Sequence, residues 1–154
     1  MKIIADRHKS FELEELLEKP LFAHLATVEN DLPKDTPCWF HWEDGHLWII
    51  GTPSDTFPNR IKQHPKCAIG IIDFNPHTGL VLHAGFRGTA TVEPFDEIIA
   101  NKLLARYLGP NETDWPPRFR QIDRSSVLVK FKPDTVVVRD QSYSLPNDGD
   151  VYTF

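Results

Sequence analysis

The chain of 154 residues lacks several features that would assign it to a specialised class. Its two cysteines, Cys38 and Cys67, form no Cys-x-x-Cys pair, so no disulfide framework is predicted. No apolar run approaches the roughly 18 residues that span a bilayer, and the N-terminus becomes charged too early for a secretory signal. A net charge of -5 argues against a nucleic-acid surface, which normally carries a basic stripe. We therefore expect a cytoplasmic protein with reduced thiols.

The remaining composition is typical of one globular domain over residues 1–154, with a helical segment in 1–20 and a C-terminal tail in 141–154. One helix is predicted from Ser10, its N-cap, to Leu17. A second, short helix ends at Pro65, and a third covers residues 95–108. Apolar runs between turn residues predict strands at 21–28, 36–42, 46–50, 67–74, 80–92 and 127–138. The strands over 36–42 and 46–50 should form a hairpin, and the segment over 127–138 is either one bent strand or a pair of strands. Without βαβ alternation, this order predicts a mainly β (α+β) antiparallel barrel with two to three peripheral helices.

The segment from Leu47 to Pro65 gives the most localised indication of a ligand. An apolar strand leads into hydroxyl residues and then into a short helix. First-turn N–H groups lack partners and the helix dipole favours an anion, so a phosphate can bind there. Its predicted contacts are Thr52, Ser54, Thr56, Arg60 and Lys62. The alternative is an Asp55/Thr56 N-cap on a surface helix, in which the carboxylate of Asp55 satisfies those N–H groups and repels phosphate.

Several segments, in their order and spacing, resemble the FMN-binding split-barrel family related to pyridoxamine 5'-phosphate oxidase. The first is Leu25-Ala26-Thr27-Val28, which opens a strand. The others are Pro37-Cys38-Trp39-Phe40-His41-Trp42 before Asp44-Gly45 and Leu47-Trp48, the loop and helix from Ser54 to Pro65, and Gly85-Phe86-Arg87-Gly88-Thr89-Ala90-Thr91-Val92. The resemblance implies a split barrel that forms a homodimer with FMN in two clefts at the subunit interface. It also implies that Thr36, Pro37, Cys38 and Trp39 lie along the flavin ring.

Two departures from the family pattern limit what the resemblance implies. Asp55-Thr56-Phe57 stands where members often carry a Ser-Arg-Lys type of phosphate clamp. The tail from Ser142 to Asp150 has neither the arginine nor the histidine that hold the pyridoxal substrate in the true oxidase. The chain is therefore predicted to be an FMN-binding oxidoreductase for an unidentified small molecule. The alternatives are a deazaflavin- or haem-using relative, or a non-enzymatic binding protein on the same fold.

Other side chains permit weaker interpretations. Alternation would place Trp39 and His41 on one face of a strand and Phe40 and Trp42 on the other. The seven histidines form no metal-binding pattern. Three arginines form a basic stretch that is either a solvated loop or a contact for an acidic substrate: Arg118, Arg120 and Arg124. No catalytic residue is predicted, because a flavin performs the hydride chemistry itself.

Overall fold

The computed structural model describes residues 1–8 and 10–146, which form one eight-stranded sheet and four α-helices. This confirms the mainly β (α+β) prediction. None of these helices is long and apolar enough to cross a membrane. The strands are β1 (Lys2–Arg7), β2 (Ala23–Glu29), β3 (Leu32–Cys38), β4 (His41–Glu43), β5 (His46–Gly51), β6 (Lys66–Asn75), β7 (Leu80–Pro94) and β8 (Val127–Asp140). The helices are α1 (Leu13–Glu18), α2 (Phe57–Gln63), α3 (Glu97–Leu108) and α4 (Pro117–Arg120).

The strands follow the order β3-β2-β6-β7-β8-β5-β4, and β1 adds to β8 in the parallel direction. β8 is one bent strand, whose first half pairs with β5 and whose second half pairs with β1. The bend coincides with a register shift after Arg87, where Gly88 lies opposite Pro133. A Cβ on Gly88 would lie 2.1 Å from the carbonyl oxygen of Lys132, so only glycine fits this bulge. Gly85, by contrast, pairs in regular register.

Alternation along the strands builds the core inside the barrel. On β2 the inward positions are Ala23, Leu25 and Thr27, all buried, and on β6 they include Ile69 and Ile71. β3 is an edge strand of the sheet and contains both Pro33 and Pro37. A proline within a strand is expected at an edge or at a bulge, because it has no N–H for the ladder. Pro33 and Pro37 lie at an edge, and Pro133 of the central strand β8 lies at the bulge opposite Gly88.

The N-terminal region differs from the prediction. Residues Lys2–Arg7 form β1, although their side chains do not alternate between buried and exposed positions. This strand depends on its pairing with the second half of β8. α1 begins at Leu13 with Glu12 as its N-cap residue, and Ser10 instead hydrogen-bonds Asp140. α3 likewise begins two residues later than predicted, because the Asp96 carboxylate accepts hydrogen bonds from the N–H groups of Ile98 and Ile99. Residues 147–154 of the predicted tail lie outside the described residues.

The predicted strand over 36–42 is interrupted between β3 and β4. Two side chains of α3 bind the backbone of Phe40 there. The Tyr107 hydroxyl accepts from the Phe40 N–H at 3.1 Å, and Arg106 Nη1 donates to the Phe40 carbonyl at 3.1 Å. Because these contacts replace ladder hydrogen bonds, the strand breaks here. The expected alternation still holds across the break, since Phe40 and Trp42 pack with the barrel core and Trp39 packs with the second apolar cluster. Phe40 itself is fully buried in the barrel core.

Candidate functional site

The helix α2 closes one end of the barrel and contacts β2 and β7. Phe57 and Ile61, which are four residues apart on the helix, form its buried face. The loop before the helix presses onto the end of β5, where a Cβ on Gly51 would lie 2.7 Å from Cγ of Pro58. The side chain of Arg60 reaches Thr27 on the buried face of β2.

The side chain of Arg60 is buried, with 6% of its surface exposed, and among the described residues it donates only to threonine hydroxyls. Nε donates to Thr27 Oγ1 at 2.9 Å, Nη1 to Thr56 Oγ1 at 2.6 Å, and Nη2 to Thr36 Oγ1 at 3.3 Å. Within residues 1–8 and 10–146, no carboxylate oxygen lies within 4.0 Å of the guanidinium. The sequence pattern predicted Thr36, Thr56 and Arg60, and the structure brings these three together.

This arrangement fits a bound anion. A buried charge is normally paired, because the loss of hydration costs several kcal/mol and neutral hydroxyls offset only part of that cost. A guanidinium has five N–H donors, and three of them are used here. A phosphate group could therefore supply both the missing negative charge and the remaining acceptors.

The loop before α2 is arranged differently from either sequence interpretation. The Asp55 carboxylate accepts from the Thr52 N–H at 2.7 Å and from Thr52 Oγ1 at 2.8 Å, and it does not cap the helix. Ser54 Oγ lies 3.1 Å from Thr52 Oγ1. α2 has only seven residues and carries Pro58, which has no N–H, in its first turn. The buried guanidinium, rather than the helix N-terminus, therefore offers N–H donors to an anion, and Lys62, one of the predicted contacts, is exposed on the same helix.

A cleft of about 650 Å³ is lined by the ends of β3 and β5 together with α3 and the segment around α4. Four of the residues predicted to bind a cofactor lie in its wall: Pro37, Cys38, Trp39 and Thr52. The opposite wall is largely apolar and includes Leu103, Leu104, Phe119 and Ile122. A mostly apolar cleft with a few polar groups is the usual form of a small-molecule site.

Trp39 connects the sheet to this opposite wall. Its ring is stacked on Tyr107, with centroids 4.5 Å apart and planes 3° from parallel, and on Phe119 at 5.5 Å and 27°. These rings belong to a second apolar cluster centred on Leu103, Leu104 and Trp115. Trp39 therefore holds α3 and α4 against the end of β3, besides lining the cleft.

The cysteines are poor candidates for chemistry. Burial raises the pKa of Cys38 to about 12, and it does the same for Cys67. Both thiols are therefore protonated at neutral pH, and a thiol of this kind is a weak nucleophile. Cys38 Sγ lies 3.5 Å from the Ala23 carbonyl, so its role in the cleft wall is packing.

The three arginines of the predicted basic stretch separate in the structure. Arg118 lines the cleft of its own chain, with its guanidinium 4.6 Å from the centre of the Phe119 ring. Arg120 Nε donates to the Trp115 carbonyl at 2.6 Å, and Arg124 lies 4.0 Å from Glu97. Arg120 and Arg124 border one pocket together with Glu97 and Glu112, whereas Arg118 lines the cleft.

Two residues of the site had not been identified in the sequence. Thr27, which binds Arg60 Nε, is a hydroxyl residue on the otherwise apolar inward face of β2, and that pattern could have identified it. Ser126, in the cleft wall, directly precedes β8 and shows no comparable sequence signal.

The described residues contain no group of three or more His, Cys, Asp or Glu that could hold a metal ion.

Comparison with known proteins places this site in a family. No protein-family model and no curated protein matches the chain. Among solved structures, a protein named F420 reductase is 30% identical, with a TM-score of 0.60 over 80% of this chain and 94% of that one. A conserved hypothetical protein from Mycobacterium tuberculosis is 17% identical, with a TM-score of 0.74 over 97% of this chain and 99% of that one.

A third structure, from Listeria innocua, carries the name of a candidate pyridoxamine 5'-phosphate oxidase. It is 19% identical, with a TM-score of 0.63 over 84% of this chain and 94% of that one. These neighbours share the split barrel described above. Because the 30% identity to the F420 reductase extends over 94% of that relative, this chain belongs to the split-barrel family related to pyridoxamine 5'-phosphate oxidase.

Proposed function

We propose that this protein binds FMN non-covalently and acts as an oxidoreductase on a small molecule. The observation that supports this proposal most directly is the buried guanidinium of Arg60, which has hydroxyl partners but no carboxylate partner among the described residues. Arg60, Thr36 and Thr56 would hold the phosphate. Family membership supports this assignment, because several fold neighbours are named for flavin-type cofactors.

The cleft beside this cluster would hold the cofactor ring. Pro37, Cys38 and Trp39 come from the same strand as Thr36, so one edge strand would contact both the phosphate and the ring. Thr52 follows β5, and its N–H donates to the Asp55 carboxylate. It would border the region between the phosphate and the ring. When bound, a flavin supplies hydride transfer. The residues of this chain bind it, orient it and exclude water from the apolar wall.

A second copy of the chain would complete the site, as the family resemblance implies. On β6 the inward Ile69 and Ile71 are buried, yet the outward Ile72 and Phe74 are also apolar and remain 50% and 56% exposed. A strand that is apolar on both faces is typical of a sheet covered on both sides. We therefore propose a homodimer that covers the outer face of β6 and β7.

A deazaflavin is the second candidate cofactor. The 30% identity to a protein named F420 reductase is the observation that favours it. Such a cofactor has a long anionic tail, which needs a wider basic surface. A groove of about 520 Å³ contains Lys66 and Arg87, and it also borders Thr27, the partner of Arg60. A Lys66→Gln/Arg87→Gln double variant should lower deazaflavin affinity and leave FMN affinity unchanged. If the affinities for both cofactors fell equally, this groove would not be the site of the anionic tail.

The first test is the visible absorption spectrum of the purified protein, with mass spectrometry of any molecule released by heat. A two-band flavin spectrum with released FMN supports the proposal, and a released deazaflavin supports the second candidate. A colourless protein that fails to bind either added cofactor rejects both.

The enzymatic part of the proposal needs a separate test. The bound cofactor should be reduced by NADH or NADPH and reoxidised by a small acceptor. A cofactor that stays oxidised with both donors would identify a binding protein rather than an oxidoreductase.

A further inference from the structure

The cleft wall contains a buried hydroxyl group that has no hydrogen-bond partner. Ser126 is only 3% exposed and lines the cleft, and in residues 1–8 and 10–146 its Oγ atom binds nothing. Buried polar side-chain atoms nearly always have a partner, because an unpaired hydroxyl costs free energy. An exception in the wall of a cleft therefore indicates a group that a ligand completes.

The neighbouring polar groups are already occupied. The Ser126 N–H donates to the Asp123 carbonyl at 2.9 Å. The Asp123 carboxylate accepts from the Ser125 N–H at 2.8 Å and from Ser125 Oγ at 2.7 Å. The hydroxyl of Ser126 thus has no partner in a turn in which the Ser126 N–H and both Ser125 donors are bonded.

The position of Ser126 is set by the sheet. Val127 pairs with Gly51, so the next residues outward, Ser126 and Thr52, lie at the same end of the paired strands and both line the cleft. The opposite side is apolar. Arg118 and Asp123 also line the cleft, and their charges are opposite, so the wall does not favour a ligand of either sign.

We infer that Ser126 positions the substrate, and that the substrate is an uncharged, largely apolar molecule whose carbonyl oxygen accepts a hydrogen bond from its hydroxyl. A charged group in this position would lose hydration and would meet a like charge as well as an opposite one, because Arg118 and Asp123 both line the cleft. This inference rests on the proposed function, since it assigns the substrate class of the same cleft.

Two probes of similar shape test it. Acetophenone carries a carbonyl oxygen, and cumene replaces that oxygen with a methyl group. Their affinities are measured by NMR titration of the purified protein with its bound cofactor. The ratio of the acetophenone affinity to the cumene affinity should fall by up to about tenfold from the wild type to Ser126→Ala, the effect of one hydrogen bond. The control Ser125→Ala should keep the wild-type ratio.

The result is interpretable even if the variant is less stable, because the readout is a ratio of two affinities. A ratio that is unchanged in Ser126→Ala, or that falls equally in Ser125→Ala, would overturn the inference. Displacement of acetophenone from the cofactor-free protein by added FMN would also overturn it, because Ser126 would then belong to the cofactor site. A preference that survives in Arg60→Met, after FMN binding is lost, would support the substrate assignment independently of the phosphate site.

Discussion

Replacement of Arg60 by methionine tests the anion site directly. Methionine keeps a long apolar side chain of similar reach, so the buried stem still packs beside Phe57 and Ile61. The variant loses the charge and the N–H groups that we assign to the phosphate. A hydrogen bond from a charged donor contributes about 1.5–3 kcal/mol, so FMN affinity should fall by about 10- to 150-fold.

The same substitution should have a different effect on stability. The cofactor-free protein loses three hydrogen bonds to threonine hydroxyls, each worth about 0.5–3 kcal/mol. It also no longer buries an unpaired cation, which costs several kcal/mol. Because these contributions offset each other, we expect the free energy of unfolding to stay within about 2 kcal/mol of the wild type.

Urea unfolding with and without FMN measures both effects in one assay. At 100 times its dissociation constant, FMN should add about 2.7 kcal/mol to the stability of the wild type and much less to that of Arg60→Met. Lys62→Met is the matched control, since it removes an exposed cation from the same helix and should bind FMN normally. Wild-type FMN affinity in a folded Arg60→Met would refute the site. A loss of more than about 4 kcal/mol without FMN would show that Arg60 is a structural residue.

Three further predictions follow from packing and charge. Phe57→Ala should lower the free energy of unfolding by about 3–5 kcal/mol, and a negligible loss in urea unfolding would contradict the packing of α2. Ile72→Lys should convert a dimer to a monomer in analytical ultracentrifugation, whereas Ile98→Lys, at a position 69% exposed on α3, should not; a dimeric Ile72→Lys would reject the proposed interface. Burial and the positive charge of Arg106 lower the pKa of His41 below its ordinary value of 6.5. The unfolded chain therefore protonates His41 at a higher pH than the folded protein does, and the free energy of unfolding should fall as the pH drops below about 6.5. His41→Gln should weaken that dependence, and an unchanged pH profile of unfolding would show that His41 does not cause it.

Features with a local physical cause were predictable from the sequence. Pro37 had to lie at an edge or a bulge because proline donates no hydrogen bond, and it lies in the edge strand β3. Gly109 follows α3 with a φ of 97°, as expected for a glycine that ends a helix. The buried positions Phe57 and Ile61 and the shared face of Thr56 and Arg60 followed from helical periodicity.

Other features depended on contacts between distant segments, which a linear pattern does not show. β1 exists because it pairs with β8, more than a hundred residues away, and the break at Phe40 exists because Tyr107 and Arg106 bind its backbone. The sequence by itself determined that Arg60 and Thr56 share a helical face. Only the tertiary structure decided that Thr27 and Thr36 bind the guanidinium and that no carboxylate of the described residues does so, because β2 and β3 reach α2 only when the sheet folds.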